Sequence, residues 1–269
     1  MRITAEFIAS SKGRIFAIAR CPENFDGRCV LVVPPFAEEM NKSRKMIAEL
    51  AGRLVEQGVG VVVPDFFGTG DSEGEFADTD VEGWLDDLHA TESWMQTKGM
   101  TIDSILGVRL GCLMAAHFVQ RRKAATANLI FWQPVLDGAR AFEQFLRLRV
   151  AASLMEDKKE TVADFKAQFA AGADVEVAGY SLSPALAAQM ATLKLPSISA
   201  KKLYWFEILR SSDAAVPVAN LKVIENLQKS EVVVELQTVI GQPFWATSEI
   251  ACLPELLDST ASALSGGYQ

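Results

Sequence analysis

No run of eighteen consecutive apolar residues occurs in this chain of 269 residues, which argues against a membrane-spanning helix and an integral membrane protein. The opening residues, MRITAEFIASSKG, alternate in character and lack the apolar centre and cleavage site of a secretory signal. Basic charge is short as well: 26 Lys and Arg face 34 Asp and Glu, a net charge of -8. A phosphate-binding surface needs the opposite balance, so nucleic acid is not an expected partner. Cysteine is sparse, with Cys21, Cys29, Cys112 and Cys252 in no metal-like pairing. Cys21 and Cys29 stand eight apart across an expected turn, where a bridge is conceivable, but free thiols in a reducing cytoplasm are the expectation. No His/Asp/Glu cluster has ligand-like spacing either, so neither a metal nor a cofactor is expected.

What is present is ordinary globular composition, 49% hydrophobic and 22% charged. The length fits a single α/β domain or one carrying an inserted cap. Short β-rich runs alternate with amphipathic runs of helical length, the pattern of a mostly parallel sheet covered by helices on both faces. Ile3–Ile8 and Arg14–Ala19 read as a hairpin around Ser-Lys-Gly. Cys29–Val33 is a continuous apolar run ending at Pro34-Pro35, as a buried central strand would be. Asn41 and Ser43 offer N-caps for a helix burying Met46, Ile47, Leu50 and Leu54.

Strands are then expected at Val59–Val63, Ser104–Leu106, Asn128–Trp132, Leu203–Leu209 and Glu231–Leu236. Helices are expected near Val81–Lys98, Leu110–Arg122, Val216–Gln228 and Leu253–Leu264. Alternation fails from Asp137 to about Ala200, an Ala- and Leu-rich stretch with one strand-like piece at Val175–Ala178. These residues, 137–200, read as a mainly helical cap inserted into a core made of 1–136 and 201–269.

Open α/β sheets bind ligands at the carboxyl ends of their strands. Three segments sit there: Pro64-Asp65-Phe66-Phe67-Gly68-Thr69-Gly70-Asp71-Ser72, then Gly107-Val108-Arg109-Leu110-Gly111 leading straight into a helix, and Asp213-Ala214-Ala215-Val216-Pro217 after the cap. In this order the chain resembles the α/β-hydrolase fold family over nearly its whole length. PPFAEEMNKSR at Pro34–Arg44 falls where that family places its oxyanion loop. With GVRLG and the late GQPFWATSEI, it resembles a narrower group, the second type of hydrolase-like protein associated with exosortase A systems. That resemblance implies a place among exopolysaccharide and protein-sorting functions.

The departure from the family pattern is chemical. A hydrolase elbow, G-x-S-x-G, presents a Ser hydroxyl on a strained strand-to-helix turn. Here Gly107 and Gly111 remain, but the nucleophile position holds Arg109, whose guanidinium stays protonated and cannot attack a carbonyl. The only histidines, His89 and His117, both precede Asp213, the candidate acid. After the last strand, where the family places its histidine, the chain reads Val239-Ile240-Gly241-Gln242-Pro243-Phe244-Trp245. His117 reads as a packing residue and His89 as a solvated or ion-paired one. Without a base and a nucleophile, Asp213 makes no triad.

Two off-pattern nucleophiles remain. Ser181 lies in Gly179-Tyr180-Ser181-Leu182-Ser183 after a strand-like run, although Ser183 and Pro184 read as an ordinary helix start. Cys112 stands just inside the elbow helix, whose N-terminus can lower a thiol pKa. Either would serve an active ester or thioester hydrolase or acyltransferase. The leading expectation is instead a pocket that binds an anionic or acyl small molecule without cleaving it. Its expected residues are Phe36, Ala37, Arg109, Leu110, Phe244 and Trp245, with backbone N–H groups and the Arg109 fork meeting the anion. Arg109 pairing internally with Glu38, Glu39 or Asp213 is the competing reading. Phe36, Phe66, Phe67, Phe244 and Trp245 either line an apolar cleft or seal the cap. Self-association into a homo-oligomer is compatible with the sequence.

Overall fold

The computed structural model describes residues 1–122, 126–155, 159–198, 200–230 and 232–265. Its strands β1 (Arg2–Ala9), β2 (Arg14–Cys21), β3 (Arg28–Val33), β4 (Gly60–Pro64), β5 (Thr101–Val108) and β6 (Thr126–Trp132) precede the irregular stretch. A short hairpin inside that stretch, β7 (Val175–Val177) and β8 (Tyr180–Leu182), is separate from the main sheet. Strands β9 (Ala200–Leu209) and β10 (Val233–Ile240) complete an eight-stranded sheet in the order β1-β2-β4-β3-β5-β6-β9-β10. Within this sheet, β1 with β2 and β2 with β4 pair antiparallel, and the other described pairings are parallel.

The helices are α1 (Glu38–Glu56), α2 (Val81–Thr97), α3 (Leu110–Arg121), α4 (Gly138–Met155), α5 (Val162–Ala170), α6 (Pro184–Thr192), α7 (Val218–Lys229) and α8 (Pro254–Ser265). Because β3 is buried on both faces, its run is apolar without alternation. Val30 and Val32 point into a layer with Met46, Leu50 and Leu54 of α1 and Leu256 and Leu257 of α8. Leu31 and Val33 point the other way, with Leu85 and Leu88 of α2, Leu113 of α3 and Leu227 of α7. None of the described helices is long and apolar enough to cross a membrane. The four cysteines are free. The Cys21 thiol on β2 and the Cys29 thiol on β3 meet over Gly60 of β4 as a hydrogen-bonded pair, and no bridge joins them.

Two sequence expectations need correction. Helix α1 starts at Glu38, not behind Asn41 or Ser43, because Ala37 takes a left-handed φ of 50° and turns the chain at once. Ser43 is a helix-interior residue whose hydroxyl donates to the Glu39 carbonyl at 2.7 Å. Tyr180–Leu182 is a strand paired antiparallel to Val175–Val177, so the piece around Val175 is half of a hairpin. Ser183 caps α6, accepting from the Leu186 N–H at 3.2 Å, with Pro184 first in the helix.

One buried carboxylate in this framework predicts a pH effect. Asp87 of α2 is fully buried, accepting from the Ser10 hydroxyl at 2.5 Å and the Phe67 N–H at 2.8 Å. Burial outweighs these bonds and pushes its carboxyl up to about 6. A folded carboxyl that titrates above its unfolded value binds more protons than the unfolded chain between the two, so stability falls as pH rises from about 4 to 6. An asparagine keeps an acceptor for Phe67 and a donor for Ser10 without the buried charge. Asp87→Asn is expected to raise stability at pH 7.5 by roughly 2 kcal/mol and to flatten the slope over that window. Urea unfolding from pH 4 to 8 measures both.

Candidate active site at the strand-to-helix elbow

Strand β5 runs into α3 through one residue, Arg109, which takes φ 55° and ψ -118°. A non-glycine residue at such a φ is strained and persists only where its surroundings fix it. They do so on both sides. The Arg109 N–H donates to the Trp132 carbonyl at 3.0 Å, and its carbonyl accepts from Cys112 at 3.0 Å and Val135 at 3.2 Å. A Cβ on Gly107 would stand 2.5 Å from Cys112 Cα, and one on Gly111 would stand 2.3 Å from the Val33 carbonyl oxygen. The two glycines let the turn close against its own helix and against the end of β3.

The guanidinium is held as firmly as the backbone. Nε donates to Glu39 Oε1 at 3.2 Å, Nη1 donates to the Gln133 carbonyl at 3.2 Å, and the group lies 4.7 Å over the ring of Trp245. Of the three acids proposed as its internal partners, Glu39 makes the ion pair. Asp213 is exposed and interacts with the Ser211 hydroxyl, which holds its carboxyl below the usual range, so no acid pairs with the elbow from that loop. Burial pushes the Glu39 carboxyl up, opposed by Arg109 and Lys42 and reinforced by Glu38.

Arg109 opens on a cleft of about 200 Å³ lined by Phe36, Glu38, Glu39, Leu110, Trp245 and Ala246, together with Val135, Ala141, Gln144, Phe145, Leu148 and Met190. The first turns of α1 and α3 both border it; the Cys112 N–H donates to the Arg109 carbonyl, and the Glu39 and Met40 N–H groups donate to the Phe36 and Ala37 carbonyls. Four of the six expected ligand-binding residues therefore meet here: Phe36, Arg109, Leu110 and Trp245. Two do not. Ala37 borders adjoining spaces behind Phe36. Phe244 is wholly buried, packed edge-on against Trp132 and Trp245, because the loop after β10 folds back over the sheet. Phe66 and Phe67 are buried too, with Phe66 stacked on Trp84.

The two off-pattern nucleophiles lie outside the cleft lining. The Cys112 thiol is buried, donates to the Gly107 carbonyl at 3.1 Å and is pushed well above its usual pKa by desolvation. Ser181 lies on β8 and donates to Asp174 Oδ2 at 3.4 Å. The histidines serve elsewhere. His117 Nε2 meets the Lys194 carbonyl at 2.8 Å, and the His89 ring packs 4.8 Å from Phe118 rather than standing in an ion pair. Among the described residues no group of three or more His, Cys, Asp and Glu is placed to hold a metal ion.

Sequence reasoning missed two residues behind the elbow. Gln133 follows β6 with φ 46°, its carbonyl on Arg109 and its side-chain oxygen accepting from the Ile208 N–H at 2.5 Å. Its amide donates to Glu207 Oε2 at 2.9 Å. Glu207 is fully buried in β9, and its other oxygen accepts from Trp205 Nε1 at 2.7 Å and Asn220 Nδ2 at 2.6 Å. A lone acid within the apolar run Leu203–Leu209 was the available signal.

Known proteins share this framework. The chain matches a putative hydrolase from Agrobacterium vitis S4 with a TM-score of 0.66 at 16% identity, over 100% of this chain and 99% of that one. Est1E from Butyrivibrio proteoclasticus, solved with ferulic acid bound, gives a TM-score of 0.70 at 17% identity, over 97% and 98%. An alpha-beta serine hydrolase homologue from Coxiella burnetii gives 0.54 at 15%, over 99% and 97%. At these identities the likeness is one of fold. No curated protein matches the chain. Residues 28–195 match the Hydrolase_4 family model, described as serine aminopeptidase, S33, and by that match across more than half its length the chain belongs to this α/β-hydrolase family.

Proposed function

We propose that this protein keeps the α/β-hydrolase elbow but does not hydrolyse acyl substrates, and that it binds an anionic or acyl small molecule in the Arg109 cleft. The observation that carries the reading is the elbow itself. The turn that would present a nucleophile presents a guanidinium held by Glu39, Gln133 and Trp245. Acyl transfer needs a nucleophile with a base within hydrogen-bond reach. Here the elbow residue cannot be deprotonated and both histidines are engaged away from it. The rival reading, a hydrolase or acyltransferase working through Ser181 or Cys112, gains no support from a buried thiol or from a serine bonded to Asp174 alone.

In this proposal residues 137–200 act as the cap, since α4 and α6 supply Phe145, Leu148 and Met190 to the cleft wall. Residues 1–136 and 201–269 form the core. An accessory role in exopolysaccharide or exosortase-linked processes, in the cytoplasm, rests on the resemblance of Pro34–Arg44, GVRLG and GQPFWATSEI alone. Fluorophosphonate treatment read by intact mass is the test. No adduct is expected while a control serine hydrolase labels fully; stoichiometric labelling of one residue would overturn the proposal and name the nucleophile. Arg109→Ser is likewise expected to show no esterase turnover, because no histidine follows β10 to act as the base.

A further inference from the structure

The Arg109–Glu39 pair has a geometry that goes beyond neutralising a charge. A guanidinium recognises a carboxylate best through its Nε and Nη2 edge, with two parallel hydrogen bonds. On Arg109 that edge faces Glu39, and Glu39 uses it through one oxygen only, at Nε. The opposite side is anchored independently, by the Gln133 carbonyl at Nη1 and by the Trp245 ring. The guanidinium would therefore stay in place if Glu39 left it.

We infer that Glu39 stands in for a ligand carboxylate on Arg109, and that the cleft takes a short amphiphilic monocarboxylic acid whose binding is coupled to protonation of Glu39. This rests on the ligand-binding reading above and specifies its ligand.

Charge sets the class. One guanidinium against Glu38 and Glu39 leaves the cleft with a single net negative charge when both acids are ionised. A ligand carboxylate arriving at Arg109 would then meet two like charges. With Glu39 protonated the cleft becomes neutral and admits one negative charge, but a dianion such as a phosphate monoester remains disfavoured beside Glu38. The other groups acting on Glu39 are Lys42 on its own helix and the Arg109 guanidinium. The α4, α6 and Trp245 segments contribute Gln144, Met190 and the indole to the cleft, none of them ionisable. Burial already favours the protonated Glu39 carboxyl. Phe36, Phe145, Leu148 and Met190 give an apolar wall for the ligand body. At about 200 Å³ the space is below that of drug-sized sites, so a short chain or single ring fits better than a long lipid.

The test is octanoate titrated into the full-length protein at pH 6 and pH 8, followed by calorimetry and tryptophan fluorescence, with octyl phosphate alongside. The wild type is expected to bind octanoate about tenfold or more tightly at pH 6 than at pH 8, and E39Q at pH 8, where octyl phosphate carries close to two charges, is expected to prefer octanoate to it. E39Q, a neutral stand-in for the protonated acid, is expected to bind at pH 8 at least as tightly as the wild type does at pH 6, with the pH dependence lost. R109Q is expected to bind at neither pH while giving an unchanged circular dichroism spectrum. Arg109-dependent binding with the same pH profile in the wild type and E39Q would overturn the coupling and leave the ligand-binding reading standing. Octanoate bound by neither protein at either pH would overturn the ligand assignment. A fluorophosphonate adduct would instead remove the non-hydrolytic reading beneath it.

Discussion

Glu207→Ala is expected to remove about 3–4 kcal/mol of stability, a large effect for a change outside the cleft. The carboxylate is fully buried and is approached by three neutral donors, Trp205 Nε1, Asn220 Nδ2 and the Gln133 amide. Alanine leaves these donors facing a void, and a buried donor without an acceptor costs roughly 1–3 kcal/mol. Removing the buried charge offsets part of that loss. Glu207→Gln separates the contributions. Its oxygen can still accept from Trp205 and Asn220, but its amide meets the Gln133 amide donor to donor. Flipping Gln133 to relieve this would break its bond to the Ile208 N–H. A loss of about 1–2 kcal/mol is expected for glutamine, intermediate between wild type and alanine. Equilibrium denaturation of the three proteins gives the comparison, and equal stability of all three would show that the network contributes nothing. Because Gln133 also holds Arg109, both variants are expected to weaken any ligand that depends on the guanidinium.

Gly111→Ala is expected to cost about 2–3 kcal/mol, although alanine is the better helix former by about 1 kcal/mol. Gly111 lies in the first turn of α3, where an added Cβ would stand 2.3 Å from the Val33 carbonyl oxygen and 2.6 Å from that of Pro34. Both are backbone atoms at the end of a fully buried strand, so no flexible side chain can move aside. Relief requires α3 to shift away from β3, carrying Arg109 out of register with Glu39 and Gln133. Gly52 in α1 is the control, since a Cβ there meets nothing within 4 Å. Gly52→Ala is expected to gain up to about 1 kcal/mol. If both glycine variants were stabilised alike, the close approach of α3 to β3 would not be the reason for Gly111.

Much of this molecule is readable along the chain because it depends on local pattern. Cys29–Val33 is continuously apolar because helices cover both faces of β3, and burial on both sides leaves no polar position to alternate. Gly107 and Gly111 flank a non-glycine residue at a strand-to-helix junction, a spacing that already implies the tight turn. The loss of serine and of a late histidine is likewise a matter of identity at a position. The hairpin partner Tyr180–Leu182 was harder to see, because a three-residue strand carries almost no periodic signal and its Pro184 neighbour points to a helix start.

By itself the sequence determined the alternating α/β architecture, the elbow and the substitution of a permanent cation for its nucleophile, since residue type and short-range spacing encode them. Only the tertiary structure decided what that cation touches. Glu39, Gln133 and Trp245 come from three segments up to 206 residues apart in numbering, and Asp213, Phe244 and Cys112 are turned away from the cleft despite favourable positions in the chain. Partner choice for a buried guanidinium follows from packing and desolvation among segments distant in sequence, and no spacing rule along the chain carries that information.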